Sequence, residues 1–146
     1  MKAIPALAAL VTLLLVLIAV PSSGAAGTHH RSEAILTRAL APRKRSVHVV
    51  ALEGKVASPY RPCRANRVVR FYHRVGGRSL LLTWSLDPNL HGFSRRPHRT
   101  STQGTVGVIA KVGNPRVGAY FMTALPKTLP GGAICLEAKS GLRGPR

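Results

Sequence analysis

The chain has 146 residues, and its 22 Lys and Arg face four acids, for a formal net charge of +18. Such a length supports one domain with a single core and leaves no room for two. The charge favours anionic partners: charged cell-wall polymer, polysaccharide, acidic lipid or nucleic acid. Because the basic residues are spread along the chain rather than blocked, a solvated basic surface is the competing reading.

In chain order, Lys2 is followed by an apolar run from Ala6 to Val20, broken only by Thr12, and then by Pro21-Ser22-Ser23-Gly24-Ala25-Ala26. A basic start, a short apolar stretch and small residues after a breaker make a secretory signal over residues 1–26, cleaved after Ala25 or Ala26. The run falls short of the about 20 apolar residues of a spanning helix; a retained N-terminal anchor is the alternative. Cleavage after Ala26 would leave Gly27-Thr28-His29 at the amino terminus. A free amine, two deprotonated amides and a third-position imidazole suit Cu(II) or Ni(II). An unstructured polar start is the plainer alternative, and no other cofactor is expected.

Residues 27–45 read as a basic flexible linker. Ala34 to Leu40 suggest a brief helical turn, and Arg43-Lys44-Arg45 a charged run with Lys44-Arg45 as an alternative dibasic processing point. From Ser46 the pattern turns to period two. Residues 47–52 read as a strand, and Glu53-Gly54-Lys55 as a turn.

The clearest signal follows. Val69, Phe71, His73 and Val75 alternate with Arg70, Tyr72 and Arg74; Gly76-Gly77 intervenes; then Leu80, Leu82, Trp84 and Leu86 alternate. A two-residue Gly-Gly loop pairs Val75 with Arg78, His73 with Leu80, Phe71 with Leu82 and Val69 with Trp84. The pattern predicts a hairpin over residues 67–86, with Val69, Phe71, Leu82 and Trp84 buried on one face. A helix presenting Arg61, Arg64, Arg67, Arg70 and Arg74 along one side competes, but it would crowd Val68, Phe71 and Val75 among arginines.

Asp87 to Gly92 are turn formers, and residues 94–104 read as an exposed basic loop. Two more strands follow. Thr105 to Val112 places Val106, Val108, Ala110 and Val112 on one side; Val117 to Leu125 places Ala119, Phe121 and Leu125 on one side. Gly113-Asn114-Pro115 turns between them. Residues 133–138 form a last short strand, and 143–146 a tail.

These short strands with Gly and Pro turns predict an all-β fold over residues 46–142, an antiparallel β-sandwich of about seven strands. Cys63 and Cys135, the two cysteines of an exported chain, are expected to form one disulfide. Catalysis is not expected. Gly-x-Ser-x-Gly is absent, Asp87 serves a turn, and the histidines lack ligand spacing. His73 falls on the apolar face, either as a hydrogen-bonded core histidine or at its rim. The candidate contacts for an anion are Arg43, Lys44 and Arg45 together with Arg95, Arg96 and Arg99, in segments not committed to strands.

Leu52-Glu53-Gly54-Lys55-Val56, the cysteine-led stretch from Cys63 to Tyr72, Asp87 through Phe93, Gly118-Ala119-Tyr120-Phe121-Met122 and Cys135 to Ser140 follow one another in an order that resembles the transthyretin-like, carboxypeptidase-regulatory-like β-sandwich domains of exported bacterial proteins. The immunoglobulin pattern of Cys, Trp and Tyr is missing. The resemblance implies an adhesion, scaffold or carbohydrate-facing module rather than an enzyme. The expectation is a non-enzymatic module at an anionic surface or polymer. The alternative is a secreted basic protein acting on nucleic acid or membranes.

Overall fold

The computed structural model describes residues 27–44, 46–87 and 92–146; the signal segment, Arg45 and residues 88–91 of the expected Asp87–Gly92 turn lie outside them, and Asp87 and Gly92 pair as strand ends. Thirteen strands are described: β1 (His29–His30), β2 (Glu33–Leu40), β3 (Val49–Ala57), β4 (Val68–Val75), β5 (Arg78–Leu81), β6 (Ser85–Asp87), β7 (Gly92–Ser94), β8 (His98–Arg99), β9 (Thr105–Lys111), β10 (Ala119–Ala124), β11 (Lys127–Thr128), β12 (Ile134–Cys135) and β13 (Ala138–Lys139). Among the described residues the only helix is a 3-10 turn at Arg61–Cys63.

One sheet runs β2-β3-β9-β6-β7. A second runs β13-β10-β4-β5, with β8 also on β4, and a small third runs β1-β12-β11. Period two decides which side of each strand is inside. Val50, Leu52 and Val56 of β3 and Val108 and Ala110 of β9, with Val112 just beyond it, meet Val69 and Phe71 of β4 and Tyr120, Met122 and Ala124 of β10 in one core. The two large sheets thus pack face to face as an antiparallel sandwich.

The Gly76-Gly77 hairpin forms in the expected register. Tyr72 pairs with Leu81, His73 with Leu80 and Val75 with Arg78, and Leu82 N–H donates to the Phe71 carbonyl at 2.9 Å. Both glycines have positive φ, +54° and +80°, which such a tight turn requires. The register breaks after Leu82. Val69 pairs with His98 of β8 instead of Trp84, and the Trp84 carbonyl accepts from Lys111 N–H in the other sheet. Trp84 is therefore 42 % exposed while Val69, Phe71 and Leu82 are buried. Pairing logic cannot see a strand that changes sheets.

Residues 27–40 are not a linker. β2 is a paired eight-residue strand burying Ala34, Leu36 and Ala39. A bulge between Leu36 and Arg38 adds one residue and shifts the parity, which is why the alternation reads as a helical turn. Nor is Gly54 in a turn: β3 runs through it, and a Cβ there would collide with Met122 Sδ, so glycine lets β10 approach. In β10 the core side is Tyr120, Met122 and Ala124. Phe121 is buried on the opposite face, stacked on Tyr72 at 4.7 Å beneath Lys139. The expected loop at 94–104 contains β8 and a buried Thr100, and residues 133–138 divide between β12 and β13. The tail is pinned: Arg146 exchanges backbone hydrogen bonds with Ala39 and Ala41, and Arg143 pairs with Tyr120. It caps the Ala39 end of β2, part of an edge that would otherwise invite pairing.

Phe71→Ala should cost about 3–5 kcal/mol and Trp84→Ala less than about 1 kcal/mol in urea unfolding, since only the first empties a core site. Tyr120, buried with its hydroxyl donating to the Pro115 carbonyl at 2.9 Å, has its pKa raised by burial from 10.0 to about 12. The folded state therefore holds this proton more tightly than the unfolded state. Its contribution is full below pH 10 and is lost as pH rises toward about 12. Tyr120→Phe should remove that part of the alkaline loss in pH-dependent melts.

Candidate functional site

Two places concentrate chemistry. The first is the disulfide junction. Cys63 and Cys135 are bonded, with Cα atoms 5.4 Å apart, inside a small cluster with Leu129. Beside them Arg67 is completely buried. Its Nε–H donates to the Leu125 carbonyl, Nη1 to Ser32 Oγ (3.1 Å) and the Cys63 carbonyl (3.0 Å), and Nη2 to the Cys135 (3.4 Å) and Leu136 carbonyls. A guanidinium has five N–H donors, and all five find oxygen. Every acceptor is neutral, so burial pulls the pKa of Arg67 below its ordinary value.

Lys127 Nζ donates nearby to the Pro62 and Ala65 carbonyls at 3.1 and 2.8 Å. Its pKa is lowered by desolvation first, then by the positive charges of Arg67 and Arg99. Sequence reasoning missed Arg67, although the signal was present. Arg67 shares odd parity with Val69, Phe71 and His73, all buried, and so belongs to the inward face.

The second place is the open edge of the sandwich. After Leu81 the chain crosses from the second sheet to the first through residues 82–84, and it returns through 95–97 to β8. Between these crossings and the start of β4 lies a cleft of about 330 Å³. Val69 and Leu82 give it an apolar floor, and Arg70, Arg95, Arg96 and His98 line its sides. No carboxylate stands among its described lining residues. Arg95 is held over the Trp84 ring, 4.7 Å from its centroid. His98 lies edge-on to Phe71 at 5.7 Å, and burial pulls its pKa below the ordinary imidazole value, which favours its uncharged form. A concave, partly apolar site rimmed by guanidinium groups can hold an acidic group by forked hydrogen bonds.

The expected basic residues divide. Arg95 and Arg96 meet at the cleft, joined by Arg70, which the sequence reading did not include. Arg99 donates to Asn66, and with Arg96 it lines an adjoining depression of about 550 Å³. Arg99 is also committed to β8, contrary to expectation. Arg43 and Lys44 lie elsewhere, by the Gly113–Arg116 turn, where Arg116 Nη2 donates to the Pro42 and Arg43 carbonyls.

Gly27, Thr28 and His29 do not stand as a loose end. Ile134 N–H donates to the Thr28 carbonyl and His29 pairs in parallel with Ile134, which draws the segment along β12 rather than curling it around one point. Among the described residues no three of His, Cys, Asp or Glu gather at metal distance. Of the two positions open to it, His73 takes the hydrogen-bonded core one rather than the rim: its Nε2 meets the Val117 carbonyl, and its ring stacks on Tyr120 at 4.5 Å.

No protein-family model matches the chain, and no curated protein matches it. Among the described residues no helix is long and apolar enough to cross a membrane, and the disulfide is compatible with an extracellular location.

Arg67→Met should cost about 3–5 kcal/mol, because it takes the guanidinium donors away from the buried carbonyls gathered around them. Arg67→Lys should recover little, since an ammonium offers three donors from one point. Denaturant midpoints of the oxidised proteins measure both.

Proposed function

We propose that this is an exported, non-enzymatic binding module whose arginine cleft takes the acidic groups of a cell-surface or extracellular polymer. The observation that carries this reading is the convergence of Arg70, Arg95 and Arg96 from two separate segments on one apolar-floored cleft. Export rests on the signal-like amino terminus and is supported by the disulfide. The non-catalytic role is supported by what the reactive groups are doing: both cysteines are bonded to each other, and Glu53 is engaged with Arg38 at 3.6 Å. A scaffold of this kind agrees with what the transthyretin-like resemblance implies.

The ligand is recognised by charge and by the flat apolar floor, so an acidic polysaccharide suits it. Such a chain presents carboxylates or sulfates at intervals, with apolar ring faces between them. Arg95 is pre-positioned by its stacking on Trp84, which lowers the entropy lost when it binds.

On immobilised heparin, the Arg70→Ser/Arg95→Ser double variant should bind at least about tenfold more weakly, as expected for two lost charge-assisted contacts. Retention of the parent protein should fall with salt, since the Debye length is already about 8 Å at physiological ionic strength. Elution of the double variant at the parent's salt concentration, with an unchanged melting curve, would overturn the assignment of the cleft. A single-stranded DNA column run alongside tests the alternative: tighter, cleft-dependent retention there would transfer the reading to nucleic acid.

A further inference from the structure

The outward face of the first sheet carries an apolar row that the cleft does not use. Leu40 pairs with Ala51, and Ala51 with Ile109. Ser85 pairs with Ala110, which sets Leu86 beside Ile109, and Leu86 pairs with Phe93. The row therefore crosses all five strands. Trp84 lies one step along, where its carbonyl accepts from Lys111 N–H. These side chains are not buried: Leu40 is 42 %, Trp84 42 %, Leu86 41 % and Ile109 39 % exposed. The solvent face of an antiparallel sheet is ordinarily polar, and an apolar stripe spanning a whole sheet marks a surface that something covers.

The charges around the row select the occupant. Arg95 lies over Trp84, and Lys111 Nζ lies 5.1 Å from the Phe93 centroid. Glu53, two residues along β3 from Ala51 on the same face, is paired with Arg38. A second copy laid on this face would set cation against cation, between chains of +18 each. An anionic bilayer meets both features, because aromatic side chains sit at the headgroup level and Lys and Arg are drawn to acidic lipid.

We propose that the outer face of the β2-β3-β9-β6-β7 sheet docks on an anionic phospholipid bilayer. Trp84, Leu86, Ile109 and Phe93 enter the interfacial layer, and Arg95 and Lys111 meet the lipid phosphates. Long basic side chains lying along aromatic rings can rise to the headgroups while their stems remain on apolar surface. The inference stands apart from the polymer cleft and shares with it only Arg95 and the Trp84 ring on which Arg95 rests.

Trp84 is the only tryptophan in the chain, so its emission reports on this face directly. The secreted protein is titrated with vesicles of phosphatidylcholine alone and of phosphatidylglycerol and phosphatidylcholine in equal parts. The expected result is a blue shift with the anionic vesicles only, and quenching by lipids brominated on the acyl chain. Leu86→Ser/Ile109→Ser should weaken vesicle partitioning at least tenfold and leave heparin retention and the melting curve unchanged, which separates failure of this face from failure of the cleft. Vesicle binding without quenching would overturn the proposal, because the charge would then act without insertion. Unchanged partitioning of the double variant would overturn it too. Concentration-dependent dimerisation abolished by the same variant would assign the face to a second copy instead. Should the variant unfold, bromolipid quenching of the parent still decides the matter.

Discussion

The buried guanidinium of Arg67 gathers four separate segments of the chain around one charge. Its acceptors are Ser32 before β2, Cys63 at the end of the 3-10 turn, Leu125 after β10, Cys135 at the end of β12 and Leu136 just beyond it. Taking a charge out of water costs several kcal/mol even after relaxation. No carboxylate is present among its partners to return that cost as an ion pair. What offsets it is the fixed dipoles of four carbonyls and one hydroxyl, each bond to a charged donor contributing about 1.5–3 kcal/mol. The disulfide next to it spans 72 residues and restricts the unfolded chain by about 4 kcal/mol on the chain-entropy model. Covalent link and guanidinium act on the same junction in different states: one narrows the unfolded ensemble, the other fixes the native geometry around the link.

The small third sheet depends on this junction. β1, β11 and β12 are two residues each, too short to hold alone when isolated hairpins are marginal at best. Lys127 of β11 caps the Pro62 carbonyl within the 3-10 turn and the Ala65 carbonyl just after it, and His30 of β1 stacks on Tyr60 at 4.0 Å. Thr100 Oγ accepts from Arg67 N–H and donates to the Arg64 carbonyl, which carries the order on into β8. Since β8 leads back to Arg95 and Arg96, the cleft's arginines rest indirectly on a cation the cleft never touches.

How much of this was legible follows from range. Local alternation identified β9 and the Gly76-Gly77 hairpin, because a two-residue loop fixes register through neighbours in sequence. The disulfide was legible from cysteine count and compartment. β2 was not, because its bulge erased the period, and Gly54 was mistaken for a turn because its reason, Met122 of β10, lies far along the chain. Trp84 was misplaced at the point where the chain leaves one sheet for the other. The site was half legible for the same cause. Arg95 and Arg96 announced themselves as a basic run, while Arg70 joins them only because β8 takes a place on β4 that β5 leaves empty.

Net charge, finally, acts on placement as well as on partners. With 22 basic residues and four acids, most cations cannot find a carboxylate, and the fold supplies other acceptors: carbonyls for Arg67, Lys127, Arg116 and Arg143, and aromatic rings for Arg95, Lys111 and Lys139. These two solutions differ in what they leave available. A cation enclosed by carbonyls has used its donors inward and serves the fold. A cation over a ring is attracted by the ring's face yet keeps its N–H groups directed outward, toward whatever anion approaches. The described residues sort accordingly, with carbonyl-bound cations at the junction and the strand ends, and ring-borne cations on the outer faces of both sheets. By that criterion the surfaces fitted for binding are those where arginine and lysine lie on aromatic rings. Trp84 with Arg95 is the place where such a surface meets the cleft.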